Sequence, residues 1–106
     1  MKLGFNDYQT AAAKTAVYPD QAKIIYPVLG LAEEAGEVAG KFAKHFRGDR
    51  LYDVDAVKKE MGDVLWMLSA LATDLDIDLE DVAITNLNKL ADRVARGVVK
   101  GNGDDR

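Results

Sequence analysis

Glu33, Glu34 and Glu37 fall within five positions of one another, and Glu60 and Asp63 form a second acidic pair farther along. Both groups lie in stretches that read as helices. Residues three or four apart share a helical face, so each group aims its carboxylates in one direction. Glu60 is the most informative of them. At about 100° per residue, it falls within roughly 60° of Val57, Val64, Met67 and Leu71, inside an apolar stripe. An unpaired carboxylate is costly to desolvate there. It needs a proton, a cationic partner or a metal ion.

On the first segment alone, a solvated face accounts for the acids. Glu33, Glu34 and Glu37 share an arc with Lys41, Lys44 and His45. Glu37 and Lys41 also form a favourable i,i+4 pair worth about a few tenths of a kcal/mol. The second segment does not fit that account. Asp63 lies about 60° from Glu60 on the margin of the same stripe, and a simple amphipathic helix would carry leucine or alanine at position 60. A buried salt bridge from Glu60 to Lys41 or Lys44 is the competing explanation, although such pairs are weak sources of stability. A metal ion explains both segments together, because two antiparallel helices would converge their carboxylates on one point. With no cysteine and one histidine in the chain, carboxylate and water ligation suits magnesium, with manganese as the alternative. Magnesium held this way keeps water positions that phosphate oxygens commonly fill. A substrate bearing a polyphosphate follows.

The elements that must position these acids read as four helices with no strand. The first spans about Asn6 or Asp7 to Val17, with Asn6 as N-cap and Pro19 marking its end. The second begins near Pro27, a residue suited to the first turn, and continues to about Phe46. Gly30, Gly36 and Gly40 weaken it by about 1 kcal/mol each, but small residues also admit close approach by another helix. Arg47-Gly48-Asp49 looks like an adhesion motif and reads more simply as a helix stop. The third opens after Asp53 or Asp55 and runs to about Leu75, with Val57, Met61, Val64, Leu65, Leu68, Leu71 and Leu75 as its core side. The fourth starts after Asp78 and ends at Gly97, a natural C′ residue. Residues 98–106 are polar, with glycine at 101 and 103, and read as a flexible or substrate-ordered tail.

One domain of residues 1–106 is the expectation from length. A chain this short buries only about 60–65% of its unfolded surface, so a subunit interface would help it. Trp66 and Leu65 point away from the Glu60 side, which also calls for a second covering surface. Net charge −4 argues against a nucleic-acid binder with a broad basic surface, but not against a nucleotide whose phosphates meet a divalent cation. The absence of cysteine excludes disulfides and thiolate metal sites. Met1–Lys14 carries no apolar core of signal-peptide length. The apolar run Val64–Ala72 is too short to span a bilayer. A cytoplasmic location without membrane partners is expected.

Glu33-Glu34-x-x-Glu37, followed after 22 residues by Glu60-x-x-Asp63, resembles the signature of the MazG-like all-α nucleoside triphosphate pyrophosphohydrolases. Leu29-Gly30-Leu31-Ala32 leads into the first motif and Gly62-Asp63-Val64-Leu65-Trp66 continues the second, as such proteins often read. Asn86-x-x-Lys89-Leu90 resembles the next stretch of that family. Arg96-Gly97 and the ending Gly101–Arg106 resemble the tail of a small single-domain branch. An ExxD pattern by itself is weak; the paired motifs, their spacing and the downstream matches together are specific.

The resemblance implies a four-helix, all-α MazG-like bundle that assembles as a homodimer or homotetramer. It also implies hydrolysis of an NTP or dNTP to the monophosphate and pyrophosphate. Carried over by position, Glu34, Glu37, Glu60 and Asp63 bind Mg2+ (or Mn2+), and Glu33 orients the attacking water, deprotonates it, or supports the metal ligands from behind. Lys89 is a candidate phosphate contact with Asn86 beside it. Arg93, Arg96 and Arg106 are candidate forked donors to phosphate, although basic residues near a helix end also complement its dipole. Gly101 and Gly103 would suit an anion-holding loop. Tyr8 and Gln9 resemble a recurrent feature near the base or sugar. Trp66 reads as core or interface, and His45 as a surface residue rather than a ligand. Two other classes compete: a non-catalytic nucleotide- or metal-binding regulatory module, and a structural bundle with a buried ion-pair network.

Overall fold

The computed structural model describes residues 1–106 as four α-helices without a strand. They are α1 (Phe5–Ala13), α2 (Ile25–Arg47), α3 (Val54–Asp74) and α4 (Leu79–Arg96), with a single 3-10 turn at Asp20–Ala22. The punctuation anticipated from sequence is largely present. Gly48 closes α2 in the left-handed region at φ 94°, and Gly97 closes α4 at φ 70°. Asp53 caps α3 by accepting the Asp55 N–H at 3.0 Å.

α2 and α3 form an antiparallel hairpin, the principal packing of the chain. The helices approach closely at Gly30, which is buried. A Cβ there would stand 2.5 Å from both Sδ and Cε of Met67, itself 6% exposed. The missing side chain lets Met67 lie against the α2 backbone. Pro27 is fully buried on α2, while Val57, Ala70 and Ala72 are buried on α3.

α1 is shorter than expected and ends at Ala13. Asn6 is not its cap; Gly4 precedes the helix, and Asn6 instead serves α4. Its Oδ1 accepts the Glu80 N–H at 3.1 Å, while Gln9 Oε1 accepts the Leu79 N–H at 2.8 Å. The same Gln9 amide donates to Thr73 Oγ1 at 3.1 Å and to the Ile77 carbonyl at 2.9 Å. One glutamine therefore joins the end of α3, the connecting turn and the start of α4. The segment from Lys14 to Ile24 is held by Asp74, whose Oδ2 accepts Tyr18 O–H at 2.8 Å and Ile24 N–H at 2.9 Å. Ile24 adopts φ 69°, a costly conformation for a β-branched residue. Burial and the Asp74 hydrogen bond push the Tyr18 phenol up to about 12.

The expected core side of α3 requires correction. Met61, Leu68 and Leu75 are exposed, because no helix of this chain covers them. Met61, Val64, Leu65 and Leu68 instead line an apolar groove with Ala35 and Val38. On α4, Val82, Ile84, Leu87, Leu90 and Val94 are also exposed. Only nine residues of 106 are buried. The radius of gyration, 16.5 Å, exceeds the roughly 13 Å of a compact domain this long. No helix is long and apolar enough to cross a membrane.

The helix contact at Gly30 yields a stability test. Gly30→Leu forces Met67 out of its packed position and costs about 1–3 kcal/mol in urea unfolding. Adding Met67→Ala recovers part of the loss, because the two positions share one space.

Candidate metal and phosphate site

The hairpin brings the two acidic motifs together. Glu34 lies one turn after Gly30, and Asp63 one turn before Met67, so the antiparallel register opposes them. One carboxylate oxygen each from Glu34, Glu60 and Asp63 lies within 4.8 Å of the others. Adjacent and opposite ligands of an octahedral ion at about 2.1 Å stand roughly 3 and 4.2 Å apart. The three oxygens thus fit a hard divalent cation after a small inward adjustment. Glu34 and Glu60 are half-buried, and Asp63 is exposed.

Glu33 and Glu37 are exposed and lie outside this three-oxygen group, but their charges reach it. Partial desolvation holds the Glu34 carboxyl above its ordinary range, followed by repulsion from Asp63, Glu33, Glu60 and Glu37. Tyr8 is half-buried near the same cluster, and burial together with the Asp63 charge raises its phenol. Gln9 serves the fold, as described above.

Lys41 bears on the competing ion-pair explanation. Its Nζ stands 3.9 Å from Glu60 Oε1, with the Glu60 side chain 22% exposed. This is a loose ion pair at the cluster's edge, longer than a hydrogen bond. Lys44 and Arg50 join Lys41 around a small cavity of about 70 Å³ that also touches Tyr52 and Asp53. Arg50 sits in the turn between α2 and α3, where no helical periodicity marks it in the sequence. His45 is half-buried against Phe46 and Tyr52, with ring centroids 5.0 Å from each.

The basic residues of α4 form a separate group. Lys89 Nζ donates to Asp104 Oδ1 at 3.0 Å, and Arg93 Nη2 to the same oxygen at 3.2 Å. These two cations hold the Asp104 carboxyl below its usual range. Arg96 pairs with Asp92 at 2.7 Å, Arg106 folds back on the 98–106 segment, and Asn86 is exposed. Trp66 Nε1 donates to Thr15 Oγ1 at 2.8 Å. It lines a cavity of about 340 Å³ with Ala16, Tyr18, Ser69, Ala70 and Asp74. Ala70 lies about 10 Å along α3 from Asp63.

The raised Glu34 carboxyl gives a signed pH dependence. The folded protein binds this proton more tightly than the unfolded chain. The associated stability is fully present below the ordinary carboxylate value and is lost as pH rises through the raised one. In EDTA, Glu34→Gln removes that loss, so as pH rises from about 4, the ordinary carboxylate value, its melting temperature changes more favourably than wild type's. Equal slopes for both proteins would contradict the electrostatic origin of the effect.

Residues 27–97 match the MazG nucleotide pyrophosphohydrolase domain. That span includes both acidic motifs, Lys89 and Arg93. The Gene 37 protein of Mycobacterium phage L5 is 40% identical over 109 aligned positions, covering 93% of this chain and 96% of the relative. Its name states no activity. No solved structure matches the chain. Paired acidic motifs converging across a helical hairpin are what a family of divalent-metal-dependent nucleotide hydrolases requires, and the chain belongs to the MazG nucleotide pyrophosphohydrolase domain family.

Proposed function

We propose that this protein is a magnesium-dependent hydrolase that converts an NTP or dNTP to the monophosphate and pyrophosphate. The observation that carries the reading is the convergence of Glu34, Glu60 and Asp63 oxygens within 4.8 Å in a chain of this family. Those residues, with Glu37 from the next turn of α2, would hold Mg2+, and Mn2+ suits the same oxygen donors. When bound, the cation neutralises charge developing on phosphate oxygens and lowers the pKa of water.

The remaining chemistry belongs to the side chains. Glu33 accepts the proton of the attacking water, whose oxygen forms the new bond to phosphorus. The anhydride between the α and β phosphoryl groups breaks, and pyrophosphate leaves with the bonding electrons. Lys89, Arg93 and Arg96 offer the phosphate-binding charge, with Asn86 as a polar neighbour, while the Arg106 guanidinium is spent on carbonyls of the 98–106 segment. Lys41, beside Glu60, limits repulsion among the acids. The cavity beside Trp66 and Tyr18 has the size and mixed polarity expected of a small-molecule pocket and suits the base. The reaction takes place in the cytoplasm.

A homodimer or homotetramer is part of the same reading. The apolar groove along α2 and α3 and the exposed side chains of α4 provide the surface another copy would cover. Light scattering at micromolar concentration should give a multiple of the 11.6 kDa chain mass. A clean monomer with full activity would contradict assembly.

The reaction is tested by product identity. With magnesium, at least one triphosphate in a panel gives monophosphate plus pyrophosphate; inorganic phosphate plus diphosphate would sink the assignment. Glu60→Gln separates metal ligation from a structural ion pair. Loss of turnover and of magnesium-induced stabilisation, with stability in EDTA level or raised, supports ligation. Destabilisation by about 3 kcal/mol or more in EDTA, with the magnesium shift intact, would assign Glu60 to Lys41 instead.

A further inference from the structure

After Gly97 the chain turns back along α4. Arg106 Nε donates to the Val98 carbonyl at 3.2 Å, its Nη2 to the Val99 carbonyl at 2.9 Å, and its Nη1 to the Gly103 carbonyl. Arg96 Nη2 reaches the Arg106 main-chain oxygen. Gly103 makes the turn at φ 80°. At Gly101, φ is 146° and a Cβ would stand 2.8 Å from Arg106 Cδ. The result is a closed loop that presents Asp104 to α4.

Arg93 shows what that loop covers. It is 5% exposed, the sole buried cationic residue of the chain. Its Nη2 faces three loop oxygens: the Asp104 carbonyl at 2.8 Å, Asp104 Oδ1 at 3.2 Å and the Gly103 carbonyl at 3.4 Å. Its Nε is buried without a partner. Leaving a buried donor unpaired is unfavourable. The loop is thus an incomplete ligand for a guanidinium that can offer a fork of donors. Asp104 is 81% exposed at its side chain, so its carboxylate already meets water and can leave α4 without losing buried surface of its own. A polyphosphate carries more charge and more acceptor oxygens than one carboxylate, and it can engage both donors of the fork.

We propose that residues 98–106 form a latch in which the Asp104 carboxylate occupies the Lys89–Arg93 pair and is displaced by the polyphosphate of the substrate. The inference rests on the reading of Lys89 and Arg93 as phosphate contacts. The loop competes with substrate and releases α4 when substrate wins. Lys100, exposed within the segment, reports the release.

Inorganic tripolyphosphate in EDTA probes the cations without the metal. By calorimetry, Asp104→Asn binds it roughly threefold or more tighter than wild type, the scale of an exposed charge pair. Asp105→Asn, which removes the same charge from the neighbouring position, leaves affinity near the wild-type value. Tripolyphosphate accelerates tryptic cleavage after Lys100 in the wild type, followed by mass spectrometry, while Asp104→Asn is cleaved fast without it. Binding that is unchanged, weakened or absent in Asp104→Asn would overturn the latch, as would protection of Lys100 by tripolyphosphate. If no triphosphate is hydrolysed with magnesium, the reaction assignment fails while these two readouts still decide the latch.

Discussion

The close approach of α2 and α3 at Gly30 is the constraint on which the acidic cluster depends. Met67 fits against α2 because position 30 lacks a side chain. Since the helices are antiparallel, one turn from that contact in each chain direction brings Glu34 opposite Asp63. Apolar packing thereby sets the register of the carboxylates. The same packing must oppose their repulsion, since partial desolvation and then the charges of acids on both helices hold the Glu34 carboxyl above its ordinary range. Buried Pro27, Met67 and Ala70 supply a non-directional attraction that the charges do not provide.

The cluster is electrostatically unequal along its length. Glu60 has Lys41 at 3.9 Å, whereas Glu34 is surrounded by negative charge. A cation entering between them would relieve the Glu34 side most. Lys41 would meanwhile keep Glu60 from facing uncompensated charge in its half-buried position. A structural ion pair and a metal site are therefore compatible: the same glutamate can lean on a lysine at one oxygen and offer the other.

Much of this arrangement was legible in the residues themselves. Gly48 and Gly97 end helices through their backbone and Asp53 begins one through its side chain, none of which depends on distant contacts, and the i,i+3 and i,i+4 spacing of the acids placed them on shared faces. Asn6 resembles an N-cap in sequence, but its side chain acts on α4, 74 residues away, a pairing no local pattern carries. Met61 and Leu68 depart from expectation for another reason. Periodicity identifies an apolar stripe but not the surface that meets it, and here α3 shows its own chain the Val57–Met67–Ala70 side. Asp104 lies in the tail that the resemblance covers but has no role legible there, since its approach to Lys89 depends on the reversal after Gly97.

The Gln9 amide has a mechanical consequence. Every hydrogen bond between α4 and α1 lies at Asn6, Gln9, Leu79 and Glu80, so α1 fastens α4 at one end only. Lys89 stands ten residues beyond Leu79, about 15 Å down the helix axis. A tilt of about 10° at the fastening would carry Lys89 sideways by roughly 2.6 Å over that length, a full hydrogen-bond distance. A residue with no charge and no place among the acids thus sets the aim of the cations, as a pivot sets the reach of a lever.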